Sequence, residues 1–248
     1  MMELYVLWQR QVKKYFRSKA RVIGALGQPI LFLLALGFGF GPIFAAAGGG
    51  NYLEFIAPGI IGMTILFSAT FTGIEVIWDR QFGFLKEMLV SPVPRINIMV
   101  GRTIGGATVA VFQGLIVLVI AMLFGFQVAN LWMLPVAILA MFIIALLFTA
   151  LGTALASTMQ DMQAFQLIIN FLLMPLFFLS GALFPMSGLP EPLGLIVKLN
   201  PLTYGVDALR GTLSGTAQFG LGLDFLVLIV VSAIFLFIGS YFFSKMQL

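Results

Sequence analysis

Cysteine and histidine are both absent from this chain of 248 residues. Without cysteine there is no disulfide and no thiolate ligand for a metal, and without histidine there is no imidazole ligand or base. The usual nucleophile and base pairs of intramembrane hydrolases are missing for the same reason. We therefore expect no catalysis by this chain alone and no cofactor bound to it.

Charged residues are also scarce. They make up 9% of the chain, against about 25% in soluble domains, whereas hydrophobic residues make up 61%. Several apolar runs reach the roughly 20 residues needed to cross a bilayer. They are continuously apolar and do not alternate with polar residues, which favours helices over barrel strands. We predict one all-α membrane domain over residues 1–248 with six transmembrane helices at 22–45, 55–77, 103–126, 131–156, 165–184 and 225–243.

The basic residues are distributed unevenly around these spans. Eleven of the 13 lysines and arginines precede the first span, separate the second from the third, or follow the sixth. Only Lys198 and Arg210 lie in connections on the other side. The positive-inside rule then predicts a multi-pass protein of the cytoplasmic membrane with both termini in the cytoplasm. The basic charge is a topology signal and predicts no nucleic-acid partner.

Residues 1–21 are basic and amphipathic. Apolar side chains recur at helical spacing and basic ones take the opposite face: Leu4, Trp8, Val12, Tyr15 and Phe16 against Arg10, Lys13, Lys14 and Arg17. This spacing predicts an interfacial helix that turns its basic side toward anionic lipid headgroups. The alternative is a simple arm whose charges only orient the first span.

The connection between the second and third spans, residues 79–102, is too long and too patterned for a turn. Residues 84–90 are a plausible short amphipathic helix, which Pro92 and Pro94 would end. Such a helix suits docking into a groove of a partner protein. A loop resting on the lipid headgroups fits the spacing equally well.

Residues of this segment follow a recognisable order: Asp79, Arg80, Gly83, Leu85, Leu89, Ser91, Pro92 and Arg95, with Gly101 and Arg102 after them. The order resembles the coupling segment of ABC-2 type permeases, the membrane subunits of ABC exporters. In that family the segment contacts the ATP-binding subunit, so the resemblance implies that Glu87 and the residues named above from Asp79 to Arg95 form that contact. Gly101 and Arg102 resemble the start of the family's third span. Gln81 departs from the family, which frequently has Glu there.

The connection between the fifth and sixth spans carries further motifs. Residues 175–185, 189–190 and 200–211 are similar to the closing signature of the same permeases, particularly of their drug-export branch. Independently of that likeness, Asn200 is a good helix cap and Pro201 a good first residue, and Gly211 suits a helix end. We therefore predict a helix at 201–210.

Two side chains of that helix, Asp207 and Arg210, are spaced so that they can pair. The preceding residues 193–199 are nearly all apolar, which indicates that the outer segment dips back into the membrane. It either caps the bundle or, as the resemblance implies, shapes the exit of the substrate path. The residues expected at this outer gate are Pro185, Asn200, Pro201, Tyr204, Asp207 and Arg210.

Ionisable residues near the spans are few. Glu75 lies one turn from Asp79, where we expect a solvated carboxylate at the inner boundary. No charged pair lies near the middle of a span, which argues against an ion-coupled carrier. No Gly-Lys-Ser/Thr sequence occurs, so this chain carries no ATP-binding loop.

The resemblance implies a permease subunit that exports an amphipathic substrate, a drug or a lipid-like molecule. ATP and magnesium would bind to two copies of a separate ATP-binding subunit, and a second permease copy or a paralogue would complete the path through the membrane lipids. Export of a lipid-linked polysaccharide is the alternative cargo. An ion-coupled secondary carrier and a purely structural membrane protein are the alternative classes.

Overall fold

A computed structural model describes residues 2–46, 50–84, 94–186 and 190–245. The described residues form helices without any β-strand, which confirms the predicted all-α fold. The helices in chain order are α1 Met2–Arg17, α2 Lys19–Gly39, α3 Gly41–Ala46, α4 Tyr52–Phe71, α5 Ile74–Gln81, α6 Arg95–Leu123, α7 Leu134–Thr158, α8 Met162–Phe178, α9 Glu191–Leu199, α10 Pro201–Leu213 and α11 Leu221–Ser244.

Five helical stretches of the described chain are long and apolar enough to cross a membrane. They are Val22–Gly39, Tyr52–Gln81, Arg95–Leu123, Leu131–Thr158 and Leu221–Phe243. Each overlaps one of the six predicted spans, and the third begins about two turns before the predicted start. The chain is therefore a multi-span membrane protein, as its composition predicts.

The fifth predicted span, residues 165–184, is shorter than expected. It corresponds to α8, whose 17 residues give a length of about 25 Å, against a hydrocarbon thickness of about 30 Å. The helix ends at Phe178 because the chain turns at Gly181, whose φ of 70° lies in the left-handed region that favours glycine. The predicted end at residue 184 is therefore wrong.

The second span is broken into α4 and α5 by a turn at Thr72 and Gly73. The Thr72 hydroxyl donates a hydrogen bond of 2.6 Å to the carbonyl of Ala69. A Cβ built on Gly73 would overlap the carbonyl of Gly152, and one built on Gly152 would overlap that of Thr70. The turn thus lets the backbone of the second span lie directly against the backbone of α7.

The bundle is organised around three helices. α4, α6 and α7 pack against one another, while α11 packs on α7 and α2 packs on α4. α2 and α11 keep most of their surface exposed, so they lie at the periphery. We call the part of the bundle that contains α5 and the start of α6 the Asp79 end, and the part that contains α10 and the start of α11 the Arg210 end.

The helix predicted at 201–210 is confirmed as α10. Asn200 caps it, because its side-chain oxygen accepts a hydrogen bond of 3.0 Å from the backbone N–H of Leu202, and Pro201 is the first helical residue. The predicted end at Gly211 is wrong. Gly211 stays helical because its missing side chain allows close packing against Ala217, and the helix runs on to Leu213, two residues before Gly215 with φ of 75°.

Candidate functional site

A buried ionic cluster lies at the Asp79 end. The Asp79 carboxylate accepts a hydrogen bond of 2.7 Å from Arg102 and one of 3.2 Å from Arg10. Asp79 and Arg102 are each 4% exposed, whereas the side chain of Arg10 is 40% exposed. Because Asp79 belongs to α5, Arg102 to α6 and Arg10 to α1, one carboxylate connects three helices.

A second ion pair lies next to the first and completes what we call the charge ladder. Lys14 of α1 is 3.3 Å from Glu75 of α5. Residues four apart share a helix face, so Arg10 and Lys14 on α1 meet Asp79 and Glu75 on α5, with the two helices running in opposite directions. The expectation of a solvated Glu75 is wrong, because its side chain is only 12% exposed and is paired with Lys14.

The same helix α1 lies along α6. The indole N–H of Trp8 donates a hydrogen bond of 3.0 Å to Thr108, and the amide of Gln113 donates one of 2.6 Å to the Tyr15 hydroxyl. Gly101 and Gly105 permit the close approach, since a Cβ on either would press on Leu7 or Gln11. The predicted N-terminal helix is thus confirmed, and its place at the lipid interface stays a prediction.

This packing corrects one expectation about α1. Two of the four basic side chains that we expected to face lipid headgroups, Arg10 and Lys14, bind carboxylates of the protein instead. The signal was present in the sequence, because basic residues four apart in the first helix match acidic residues four apart in the second span. The sequence did not indicate which two helices would face each other.

The predicted coupling residues are only partly described by the structure. Asp79 and Arg80 lie in the last turn of α5, Gly83 follows the helix with φ of 81°, and Arg95 is exposed at the start of α6. Leu85, Glu87, Leu89, Ser91 and Pro92, and the helix predicted at 84–90 apart from Phe84, lie outside the described residues. Their role in coupling stays a prediction.

Gln81, the departure from the family pattern, has a specific contact. Its side-chain amide donates a hydrogen bond of 3.0 Å to the carbonyl of Gln160, in the connection between α7 and α8. An ionised glutamate has no proton to donate to that carbonyl. The glutamine therefore joins the end of the second span to the connection that precedes the fifth.

A cavity of 470 Å³ opens beside the charge ladder, between α1, α2, α4, α5, α6 and α8. Aromatic rings and side-chain amides share its wall: Tyr15, Phe67, Phe71 and Trp78 with Gln11, Gln28, Gln113 and Gln166. The volume falls in the range of about 300–1,000 Å³ that small-molecule sites occupy. Glu75 lies in the same wall, so the cavity and the charge ladder share a residue.

At the Arg210 end, Arg210 is buried at the junction of three segments. Its guanidinium donates hydrogen bonds to the carbonyls of Phe55 at 3.3 Å and Gly181 at 3.2 Å, and lies 4.2 Å from the centre of the Phe55 ring. Burial lowers the pKa of Arg210 to about 10, and the nearby Asp207 opposes that shift. The group remains charged at neutral pH.

The predicted pair between Asp207 and Arg210 is not formed. Asp207 instead accepts hydrogen bonds from the backbone N–H groups of Gln218, at 2.9 Å, and Phe219, at 2.8 Å. Both side chains therefore satisfy backbone groups of neighbouring segments, which organises the loop before α11 and the turn after α8.

The remaining predicted gate residues also contact backbone groups, apart from two prolines. Asn200 donates a hydrogen bond of 2.6 Å to the carbonyl of Leu176, one of the last carbonyls of α8. The Tyr204 hydroxyl donates one of 2.9 Å to the carbonyl of Lys198. Pro185 is exposed and Pro201 begins α10. A gating role for these residues stays a prediction.

Sequence reasoning missed Asp224, in the first turn of α11. Its side chain is fully buried beside Asp207, and neither of its carboxyl oxygens accepts a hydrogen bond from the part of the chain that the structure describes. In the sequence it appears only as an acidic residue before the last span. Across the described ranges, no three acidic side chains converge in a way that could hold a metal ion.

Replacing Asp224 with asparagine is expected to raise the thermal unfolding midpoint of the purified protein by about 2–4 °C. The amide keeps the size of the carboxyl group, cannot become negatively charged next to Asp207, and can donate a hydrogen bond to it. Asp161→Asn, at an exposed cap of α8, is the matched control and should leave the midpoint unchanged. A lower midpoint for Asp224→Asn alone would contradict the prediction.

The helical architecture and the polar clusters at its two ends define a multi-span membrane protein, and comparison with known proteins identifies the family. The family model described as ABC-2 type transporter matches residues 2–214. The chain therefore belongs to the ABC-2 type transporter family and is a transport permease, not an enzyme. This confirms the resemblance found in its motifs.

Curated relatives match most of the chain. A putative transport permease ycf38 from Cyanophora paradoxa is 29% identical, over 84% of this chain and 73% of the relative. Nodulation protein J from Rhizobium leguminosarum bv. viciae is also 29% identical, over 84% and 81%. Nodulation protein J from Sinorhizobium fredii is 28% identical, over 94% and 90%.

Proposed function

We propose that this chain is the membrane subunit of an ABC exporter that moves an amphipathic substrate, a drug or a lipid-like molecule, out across the cytoplasmic membrane. The observation that carries the proposal is the 470 Å³ cavity, whose wall combines aromatic rings with side-chain amides. Such a wall suits a molecule with an apolar and a polar part. The family assignment supports the class of transporter.

The Asp79 end would face the cytoplasm, with both termini. The uneven distribution of basic residues supports this orientation. The coupling residues at 79–95 would then meet a separate ATP-binding subunit, which holds ATP and magnesium. Two such subunits would act on two permease chains, either identical or paralogous, because a single bundle of this size encloses little space for a solute path.

The charge ladder supports a mechanical connection between the coupling segment, where the ATP-binding subunit would dock, and the cavity. A movement of the segment after Gln81 would be passed through Asp79 to Arg102 on α6 and to Arg10 on α1. Glu75 belongs both to the ladder and to the cavity wall. Movement of the coupling segment would therefore change the shape of the cavity.

Reconstitution tests this proposal. The permease is co-purified with its ATP-binding subunit and placed in liposomes that contain a fluorescent lipid or the dye Hoechst 33342. We expect movement of one of these probes that requires ATP and stops when the ATP-binding lysine of the partner is replaced. Movement at full rate without the ATPase, driven by a proton or sodium gradient, would show a secondary carrier instead.

A further inference from the structure

Two carboxyl groups lie side by side inside the Arg210 end. Asp207 of α10 and Asp224 of α11 are both fully buried, and they are close enough for one to donate a hydrogen bond to the other. Asp207 has good donors, because it accepts hydrogen bonds of 2.9 Å and 2.8 Å from the backbone N–H groups of Gln218 and Phe219. Asp224 accepts none from the part of the chain that the structure describes. The two acids therefore differ in how well their surroundings can stabilise a negative charge.

This difference matters because an ionised carboxylate can only accept hydrogen bonds. If both acids were ionised, Asp224 would be a buried anion without a donor, directly beside a second anion. Buried polar groups left in such a state are rare in folded proteins. One proton removes both costs, since a protonated carboxyl group donates a hydrogen bond that the neighbouring carboxylate accepts.

Arg210 supplies one positive charge for the two acids. It lies one turn from Asp207 on α10, and the two side chains interact electrostatically. Its printed hydrogen bonds go to the carbonyls of Phe55 and Gly181 and not to either acid. One guanidinium balances one carboxylate, so the buried group of three is neutral only when Asp224 keeps its proton.

The other elements around Asp224 bring no second positive charge. α11 packs against α6, α7 and α10. α7 and the loop at 214–220 contain no ionisable residue, and those of α6, Arg95 and Arg102, lie near its start at the Asp79 end. The remaining ionisable residue of α10, Tyr204, donates its hydroxyl proton to the carbonyl of Lys198. A proton is therefore the available partner for the second carboxyl group.

We propose that Asp207 and Asp224 form a proton-binding site, in which the protonated carboxyl group of Asp224 donates a hydrogen bond to the Asp207 carboxylate and joins the start of α11 to α10. Asp207 also holds the loop before α11 through Gln218 and Phe219. Loss of the proton to water would place two like charges between the helices and loosen both α11 and that loop. The site is a pH-sensitive connection at the Arg210 end, and it is independent of the transported substrate.

Infrared spectroscopy of the purified protein in lipid nanodiscs tests the site. A protonated carboxyl group has a C=O stretching band separate from those of carboxylates, and we expect such a band at neutral pH that is lost in Asp224→Asn. It should also be lost in Asp207→Asn, because the new amide can donate a hydrogen bond to an ionised Asp224 while its oxygen still accepts from the loop. Glu191→Gln, at an exposed carboxylate of α9, is the control and should leave the band unchanged.

The unfolding midpoint should depend on the same proton. An exposed aspartate loses its proton near pH 3.9, or about that value, so unfolding releases the proton that the folded site holds. Stability from the site is therefore greatest at low pH and is lost as rising pH removes the proton from the folded protein. Asp224→Asn has no such proton, so the difference in midpoint should move in favour of this variant by about 3 °C for each pH unit between about pH 5 and neutral pH. Glu191→Gln should show no such trend relative to the unchanged protein.

Three results would overturn the inference. The first is an infrared spectrum in which Asp224→Asn loses no acid band, or a midpoint difference that does not change with pH. The second is a band that persists in Asp207→Asn, because Asp224 would then be neutral without sharing its proton. The third is a midpoint that rises on addition of calcium in the unchanged protein but not in Asp224→Asn, which would assign the space to a metal cation. None of these measurements uses ATP or a substrate, so they do not depend on the proposed function.

Discussion

Replacing Asp79 with alanine is expected to abolish transport and to destabilise the protein by about 3–5 kcal/mol. Removal of the carboxylate leaves the buried Arg102 guanidinium, which is 4% exposed, without its ionic partner, and an uncompensated buried charge costs about that much. Arg102 already has one nitrogen, Nη2, without a hydrogen-bond partner in the described chain. The loss is measured as a lower unfolding midpoint and as absent substrate movement in liposomes.

A second variant separates stability from coupling. Asp79→Leu combined with Arg102→Met removes both buried charges and fills the same space with apolar groups, which is often neutral for stability. We expect the unfolding midpoint to recover while transport stays absent, because the link between α5 and α6 remains broken. Glu191→Ala, at an exposed carboxylate of α9, should change neither quantity. Full transport by the double variant would show that the ladder only stabilises the fold.

The spans were predictable because each is a local property of the sequence. A run of about 20 apolar residues is enough to identify a membrane helix, and five of the predicted runs correspond to helices of spanning length. The fifth predicted span is too long, because the turn at Gly181 is a feature of backbone conformation and not of hydropathy. The helix cap at Asn200 could likewise be predicted from the sequence. The continuation of α10 past Gly211 could not, because it depends on how the loop after the helix packs Ala217 against that glycine.

The contacts between helices were harder to predict from the sequence than the spans were. Asp207 and Arg210 have the spacing of a helical ion pair, but each meets better partners in the backbone of other segments. Asp224 appeared as an ordinary acid at a span boundary, and only the packing of α11 against α10 makes it buried. The cavity collects residues from six helices, so no single segment of the sequence indicates it.

Gly152→Ala is expected to have the second large effect, a destabilisation of about 3 kcal/mol. The new Cβ would overlap the carbonyl of Thr70, and a Cβ at the facing Gly73 would overlap the carbonyl of Gly152. Overpacking against flexible side chains costs about 1–3 kcal/mol. Here the new Cβ meets backbone atoms, which cannot change rotamer to make room, so we expect a cost at the upper end of that range. We expect α4 and α7 to separate at the turn between α4 and α5, and the change is measured as a lower unfolding midpoint.

Gly27→Ala provides the matched control for that experiment. Gly27 is also a glycine inside a membrane helix, but nothing lies within 4 Å of a Cβ built there, so alanine should be neutral or should slightly favour the helix. The contrast between the two variants isolates the backbone contact from the helix propensity of glycine. Because the turn at Gly73 leads directly into Glu75 and Asp79, Gly152→Ala should also weaken the ladder and reduce transport. A Gly152→Ala protein as stable as Gly27→Ala would mean that the second and fourth spans do not touch through their backbones.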